Sequence, residues 1–112
     1  MSLEHSLTEN GTVIFSLADR VDAKSAPAIQ QEMDKIIADS QGSILLDCNR
    51  ITYVSSAGLR VFISIAKLLK VRQRKLALCG LAGNVSDVFA VSGFNSIFDI
   101  FATREEALSR LA

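Results

Sequence analysis

At 112 residues the chain is long enough for one domain with a real core and too short for two ordinary ones, so a single domain over residues 1–112 is expected. Acidic and basic residues balance at 12 each and 49% of the residues are hydrophobic, which argues against both a disordered chain and a generic nucleic-acid binder. The sequence opens without a basic region followed by an apolar run, and nowhere does it hold the roughly 18 continuous apolar residues of a membrane span, so a compact cytoplasmic protein is expected.

Leu3 to Thr8 and Thr12 to Ala18 read as two strands around Glu9-Asn10-Gly11, where Asn-Gly is a strong hairpin signal. The second run, Thr12-Val13-Ile14-Phe15-Ser16-Leu17, is β-branched and aromatic, as a pleated, half-buried surface prefers. His5 is the one histidine, and its alternation with apolar neighbours suits a surface or edge-strand position better than a catalytic one. Asp22 to Ser40 is expected to be a helix, capped by Asp22 or Ser25, with Pro27 tolerated because it falls in the first turn. Ile29, Met33, Ile36 and Ile37 form one apolar stripe, while Gln30, Gln31, Glu32, Asp34 and Lys35 face away, as in a helix that covers a sheet. Gln41-Gly42 ends it.

Ile44-Leu45-Leu46 suits a buried central strand, followed by polar Asp47-Cys48-Asn49-Arg50 and a second short extended piece, Ile51 to Val54. Ser55-Ser56-Ala57-Gly58 then leads into a helix from Leu59 to about Arg72. The serines therefore fall at or near a helix N-terminus, where unpaired N–H groups and the helix dipole favour an oxygen acceptor or an anion. One serine can simply cap the helix, and one can be a phosphate acceptor; the two roles are compatible. On the helix, Leu59, Phe62, Ile63, Ala66 and Leu69 share a face expected to pack on the sheet. Val61, Ile65 and Leu68 form a second side, which leaves a narrow polar wedge of Arg60, Ser64 and Lys67. That second stripe is either covered by a neighbouring helix or partly open to a partner.

Between Arg50 and Lys75 stand seven basic residues and no acidic one, read as a solvated helix end because Lys70, Arg72, Arg74 and Lys75 lie near its C-terminus; the competing reading is a patch for an acidic partner. Lys75 to Gly80 is a further strand. A third helix starts at Asn84, capped by Asn84 or Ser86 and stopped by Ser92-Gly93. A last strand lies around Phe98 to Phe101, and Thr103 with Glu106 makes a capping box for a final helix to Leu111. The order β, β, α, β, α, β, α, β, α argues for a mixed α/β sheet of about four to five strands with a parallel portion, packed with about four helices. Cys48 and Cys79 read as small buried residues of a reducing compartment rather than a disulfide or metal site. No G-x-S-x-G, Walker loop, H-E-x-x-H or Cys/His cluster is present, so neither a cofactor, a metal nor enzymatic activity is expected. Asp47 is expected at the same end of the sheet as Ser56, shaping the serine turn or receiving a partner.

Asp47-Cys48-Asn49-Arg50-Ile51-Thr52-Tyr53-Val54-Ser55-Ser56-Ala57-Gly58-Leu59 resembles the signature of STAS domains, in particular bacterial anti-sigma factor antagonists, and the likeness extends over almost the whole chain. The resemblance implies a STAS-like fold and a phosphorylation-controlled switch. The unphosphorylated form would bind an anti-sigma factor that is itself a serine kinase, so freeing a sigma factor, with a serine phosphatase as a further partner. Aligned on Gly58-Leu59, the phosphorylated serine corresponds to Ser56, with Ser55 as second choice. Two positions depart from the best-known form of the motif: Ser55 stands where an Asp is usual and Ala57 where a second Ser or Thr is usual. The expected partner surface comprises Asp47, Ser55, Ser56, Ala57, Gly58, Arg60, Val61 and Ser64. The competing function is a constitutive STAS scaffold subunit of a lipid-transport or stress-signalling complex, in which the serine is only a cap; a nucleotide-binding module is a third class.

Overall fold

The computed structural model describes residues 3–111. Its elements follow the expected order: β1 (Leu3–Leu7), β2 (Val13–Val21), α1 (Ala26–Ala38), β3 (Ile44–Val54), α2 (Ser56–Val71), β4 (Leu76–Cys79), α3 (Gly83–Val91), β5 (Asp99–Phe101) and α4 (Arg104–Leu111). The five strands lie side by side in the order β1-β2-β3-β4-β5. The β1–β2 hairpin is antiparallel and the other three pairings are parallel.

Alternation along the strands sorts their side chains onto two faces. Val13, Phe15 and Leu17 of β2, Ile44, Leu46 and Cys48 of β3 and Leu78 of β4 point to the face covered by α1, α2 and α3, where they meet Ile29, Met33, Ile37, Phe62, Ile65 and Phe89 in the main core. Phe62, Phe89, Phe94 and Phe98 meet edge-on or tilted, with Phe62 and Phe89 centroids 5.3 Å apart, a favoured aromatic geometry. The other face holds a smaller cluster of Ile14, Leu45, Ala77 and Cys79 under Ala107 and Leu111 of α4.

Several boundaries differ from expectation, each for a local reason. The two extended pieces around Asp47–Arg50 are one strand of 11 residues, because the polar residues point to the face that α4 leaves partly open while Cys48 stays in the core. β2 continues to Val21 beside it by way of two register shifts, with Asp19 at φ 63°. Helix α1 therefore starts at Ala26, not Asp22: the Asp22 carboxylate accepts the Lys24 and Ser25 N–H groups at 3.1 and 3.2 Å and holds the chain in a turn. Helix α3 starts after Ala82 without a side-chain cap, so neither Asn84 nor Ser86 has the expected role. A 3-10 turn at Phe94–Ser96 precedes β5 and turns Phe98 into the core. At α4 the Glu106 N–H donates to the Thr103 hydroxyl at 3.2 Å, the first half of the expected capping box.

Of the basic residues read as a solvated helix end, Lys70, Arg72 and Lys75 are exposed, while Arg74 departs from that reading. Its guanidinium donates to the Gly42 carbonyl (2.8 Å), the Ile37 carbonyl (2.8 Å) and the Ser40 hydroxyl (2.9 Å), so it staples the end of α1 to the entry of β4. Replacing Arg74 by Ala leaves those acceptors unpaired and is expected to lower unfolding free energy by about 2 kcal/mol in urea titrations, with Arg74→Lys recovering less than half.

Burial pushes the Cys48 thiol well above its usual range, reinforced by Cys79 and Asp47, and burial pushes Cys79 up to about 11, helped by Asp47. Both are free thiols. Because the folded state holds these protons more tightly than the unfolded chain, stability is unaffected by them below the ordinary thiol range. It should fall as pH rises from about 9 toward 11, and Cys79→Ala should flatten that alkaline slope in a pH series of thermal melts.

Candidate functional site

The serine turn lies where the central strand hands over to α2. Ser55 is extended (φ −89°, ψ 177°) and caps the helix: its hydroxyl accepts the Gly58 N–H at 3.2 Å. Its own N–H donates to the Val21 carbonyl at 3.0 Å, and its carbonyl accepts the Leu59 N–H at 2.9 Å. All three of its polar groups are therefore engaged in building the turn. Ser56 is the first residue of α2; it is exposed, and its hydroxyl makes no hydrogen bond among the described residues. Ala57 is half-buried against the main core.

Gly58 is buried at the third helical position. A Cβ there would lie 2.2 Å from the Val21 carbonyl oxygen. In a free helix alanine is favoured over glycine by about 1 kcal/mol, but here the backbone contact decides the residue type.

The remaining expected site residues separate. Arg60 and Ser64 are exposed on α2 and, with Ile63 and Lys67, border a shallow hollow of about 330 Å³. Val61 is only 5% exposed and belongs to the core, which corrects its assignment to the partner surface. The buried stripe of α2 is Gly58, Val61, Phe62, Ile65 and Leu69, centred between the two stripes expected from the sequence, because the helix is wedged between the sheet and α1 and turns its seam toward both.

Asp47 is also corrected: it is not at the end of the sheet with Ser56. At about 3.3 Å per residue the intervening β3 separates them by roughly 20 Å or more. Its carboxylate accepts the Asn49 N–H at 3.0 Å and pairs with Arg104 at the start of α4, 2.8 Å from Nη2, while Arg104 also donates to the Ser16 hydroxyl. The pair fastens α4 to the sheet. His5 lies on the exposed edge strand, its ring 6.4 Å from that of Phe15. Neither group is in place to act as a base for Ser56.

Arg20 lies opposite Tyr53 in the β2–β3 register, one residue before the Val21–Val54 pair that adjoins Ser55. Its guanidinium stacks over the Tyr53 ring at 4.2 Å and its Nε lies 3.2 Å from the Asp22 carboxylate. The Ser25 backbone N–H, then Arg20 and the Lys24 N–H, hold the Asp22 carboxyl below its usual range against the opposing effect of burial. Only the close spacing of Arg20 and Asp22 hinted at this in the sequence; the partner Tyr53 is set by the shifted register.

The geometry is a preformed turn that presents one exposed, unengaged hydroxyl at the start of α2, on a small mixed sheet with helices on both faces. The chain belongs to the STAS domain family, which matches residues 6–107. BtrV of Bordetella bronchiseptica, which is named as an anti-sigma factor antagonist, is 38% identical over 98 residues, covering 88% of this chain and 84% of BtrV. The anti-sigma-B factor antagonist of Bacillus subtilis is 30% identical over 91 residues, covering 80% and 82%. The fold is that of the Bacillus anti-sigma factor antagonist SpoIIAA. Its unphosphorylated form superposes with a TM-score of 0.82 at 21% identity over 96% of this chain and 94% of that one; its phosphorylated form gives 0.76 at 20% over 98% and 99%. Among the described residues no helix is long and apolar enough to cross a membrane, and no group of His, Cys, Asp and Glu is placed to hold a metal ion.

Gly58→Ala is expected to cost about 3 kcal/mol in chemical unfolding despite its better helix propensity, since the Val21 carbonyl cannot retreat without breaking its bond to Ser55.

Proposed function

We propose that this protein is an anti-sigma factor antagonist, a cytoplasmic, non-enzymatic switch operated by phosphate on Ser56. Unphosphorylated, it binds an anti-sigma factor that is a serine kinase, and so frees the sigma factor; phosphorylated, it lets go, and a serine phosphatase resets it. The observation that supports this best is the division of labour in the turn: the Ser55 hydroxyl is occupied as the cap, while that of Ser56 is exposed and unengaged at the first position of α2. The names of BtrV and the Bacillus subtilis relative, and the existence of SpoIIAA in a phosphorylated form, favour the same reading.

Phosphate on Ser56 would bring a charge of about −1.5 to −2 to a place where the free N–H groups of the helix start favour an anion. It would therefore be tolerated by the fold while burdening the interface with repulsion and desolvation. The proposed contact surface is the outer side of the turn, Ser55 to Ala57, with Arg60 and Ser64 on α2 and the Arg20–Tyr53 stack beside it, while buried Gly58 sets the shape of the turn. Asp47 and Val61 act instead through the fold.

The test is intact-mass spectrometry after incubation with the cognate kinase and Mg-ATP. A single added phosphate on wild type and on Ser55→Ala, absent from Ser56→Ala, is expected. Phosphate lost only in Ser55→Ala would move the acceptor by one residue. A stable complex without any phosphate would favour the constitutive scaffold, the reading to which the departures at Ser55 and Ala57 point.

A further inference from the structure

A cleft lies toward the opposite end of α2. It runs between the C-terminal half of that helix and the segment entering β5 and has a volume of about 600 Å³, within the size range of small-molecule sites. Ile63 and Ala66 form one wall, half-buried Leu76 at the start of β4 lies at the base, and Ile97 and Phe98 form the other wall. On that side the cleft is bordered by the 3-10 turn and the start of the three-residue β5. Ile97 is left 60% exposed, an apolar side chain at the lip that the fold itself does not use.

The polar groups of the cleft are strongly biased. Lys67 and Lys70 are exposed and make no ion pair among the described residues, Arg74 adds a third positive charge although its guanidinium is tied to Gly42, Ile37 and Ser40, and Asp99 is the one acid. Three cations against one carboxylate, around walls of aliphatic and aromatic carbon, match a ligand that is apolar along its length and negatively charged at one end. The walls offer few hydrogen-bonding groups that could satisfy a peptide backbone or a sugar.

We propose that this cleft binds a medium-chain fatty acid as its carboxylate, with the chain against Ile63, Ala66 and Ile97 and the head group held by Lys67 and Lys70. The site begins roughly 10 Å along the helix axis from Ser56 and reaches roughly 20 Å at Lys70, at 1.5 Å per residue, and it does not depend on the switch proposed above. It also gives a use to the basic residues of α2 that the turn does not employ.

The experiment is calorimetric titration of the full chain with decanoate below its micellar range, alongside 1-decanol, with ¹H–¹⁵N NMR to locate the shifts. Saturable one-to-one binding is expected, with perturbations in residues 63–76 and 96–99, and at least ten-fold weaker in Lys67→Glu/Lys70→Glu and in Ile97→Asp. All three altered residues are exposed, so unchanged far-ultraviolet circular dichroism should accompany the loss. Equal affinity for decanol would show that the cations do not read the head group, and would overturn the proposal. So would no saturable binding, binding indifferent to both variants, or association seen only with anionic phospholipid vesicles, which would make the patch a membrane contact.

Discussion

The Val21 carbonyl oxygen is the point on which the turn depends. It receives the Ser55 N–H and stands where a Cβ of residue 58 would be, so the end of β2 and the first turn of α2 are in contact backbone to backbone. A side chain at residue 58 would push the helix away from the strand, undo the Ser55 cap and expose the seam that Val61, Phe62 and Ile65 close. The exposure of Ser56 follows from the same constraint: with Gly58 turned inward and Ser55 spent on capping, the helical period carries Ser56 outward.

Polar clamps set the rest of the frame. Arg74 ties the end of α1 to the entry of β4 on one side of the molecule, and Arg104 ties the start of α4 to Asp47 and Ser16 on the other. A positive side chain at a helix start opposes the helix dipole, so Arg104 gains nothing from α4 itself and is placed there by Asp47. Both clamps join segments far apart in sequence, which is why composition and periodicity gave no sign of them.

Local chemistry made much of the fold legible. Asn10-Gly11, the stripe of α1, the apolar run at Ile44–Leu46 and Thr103 with Glu106 each state their structure within a few residues, and the order of elements and the mixed sheet followed. The position of the serine turn was legible for the same reason. What failed required knowledge of a neighbour. β3 runs on through Asp47–Arg50 beside a β2 that shifts register, Val61 is buried within the tertiary core, and the Arg20–Tyr53 stack exists only because of those shifts. Asp47 lies at the other end of β3 from the serine turn it is expected to shape, because a polar residue after an apolar run imitates the end of a strand.

The sheet also separates the two thiols. Cys48 points into the layer of α1, α2 and α3, and Cys79, on the neighbouring strand, into the layer beneath α4. With a sheet between their side chains they cannot join in a disulfide while it is intact. The pair is also a built-in instrument: alkylation of Cys48 reports when the three-helix layer lifts, alkylation of Cys79 when α4 does, and the two rates read the opening of each layer independently.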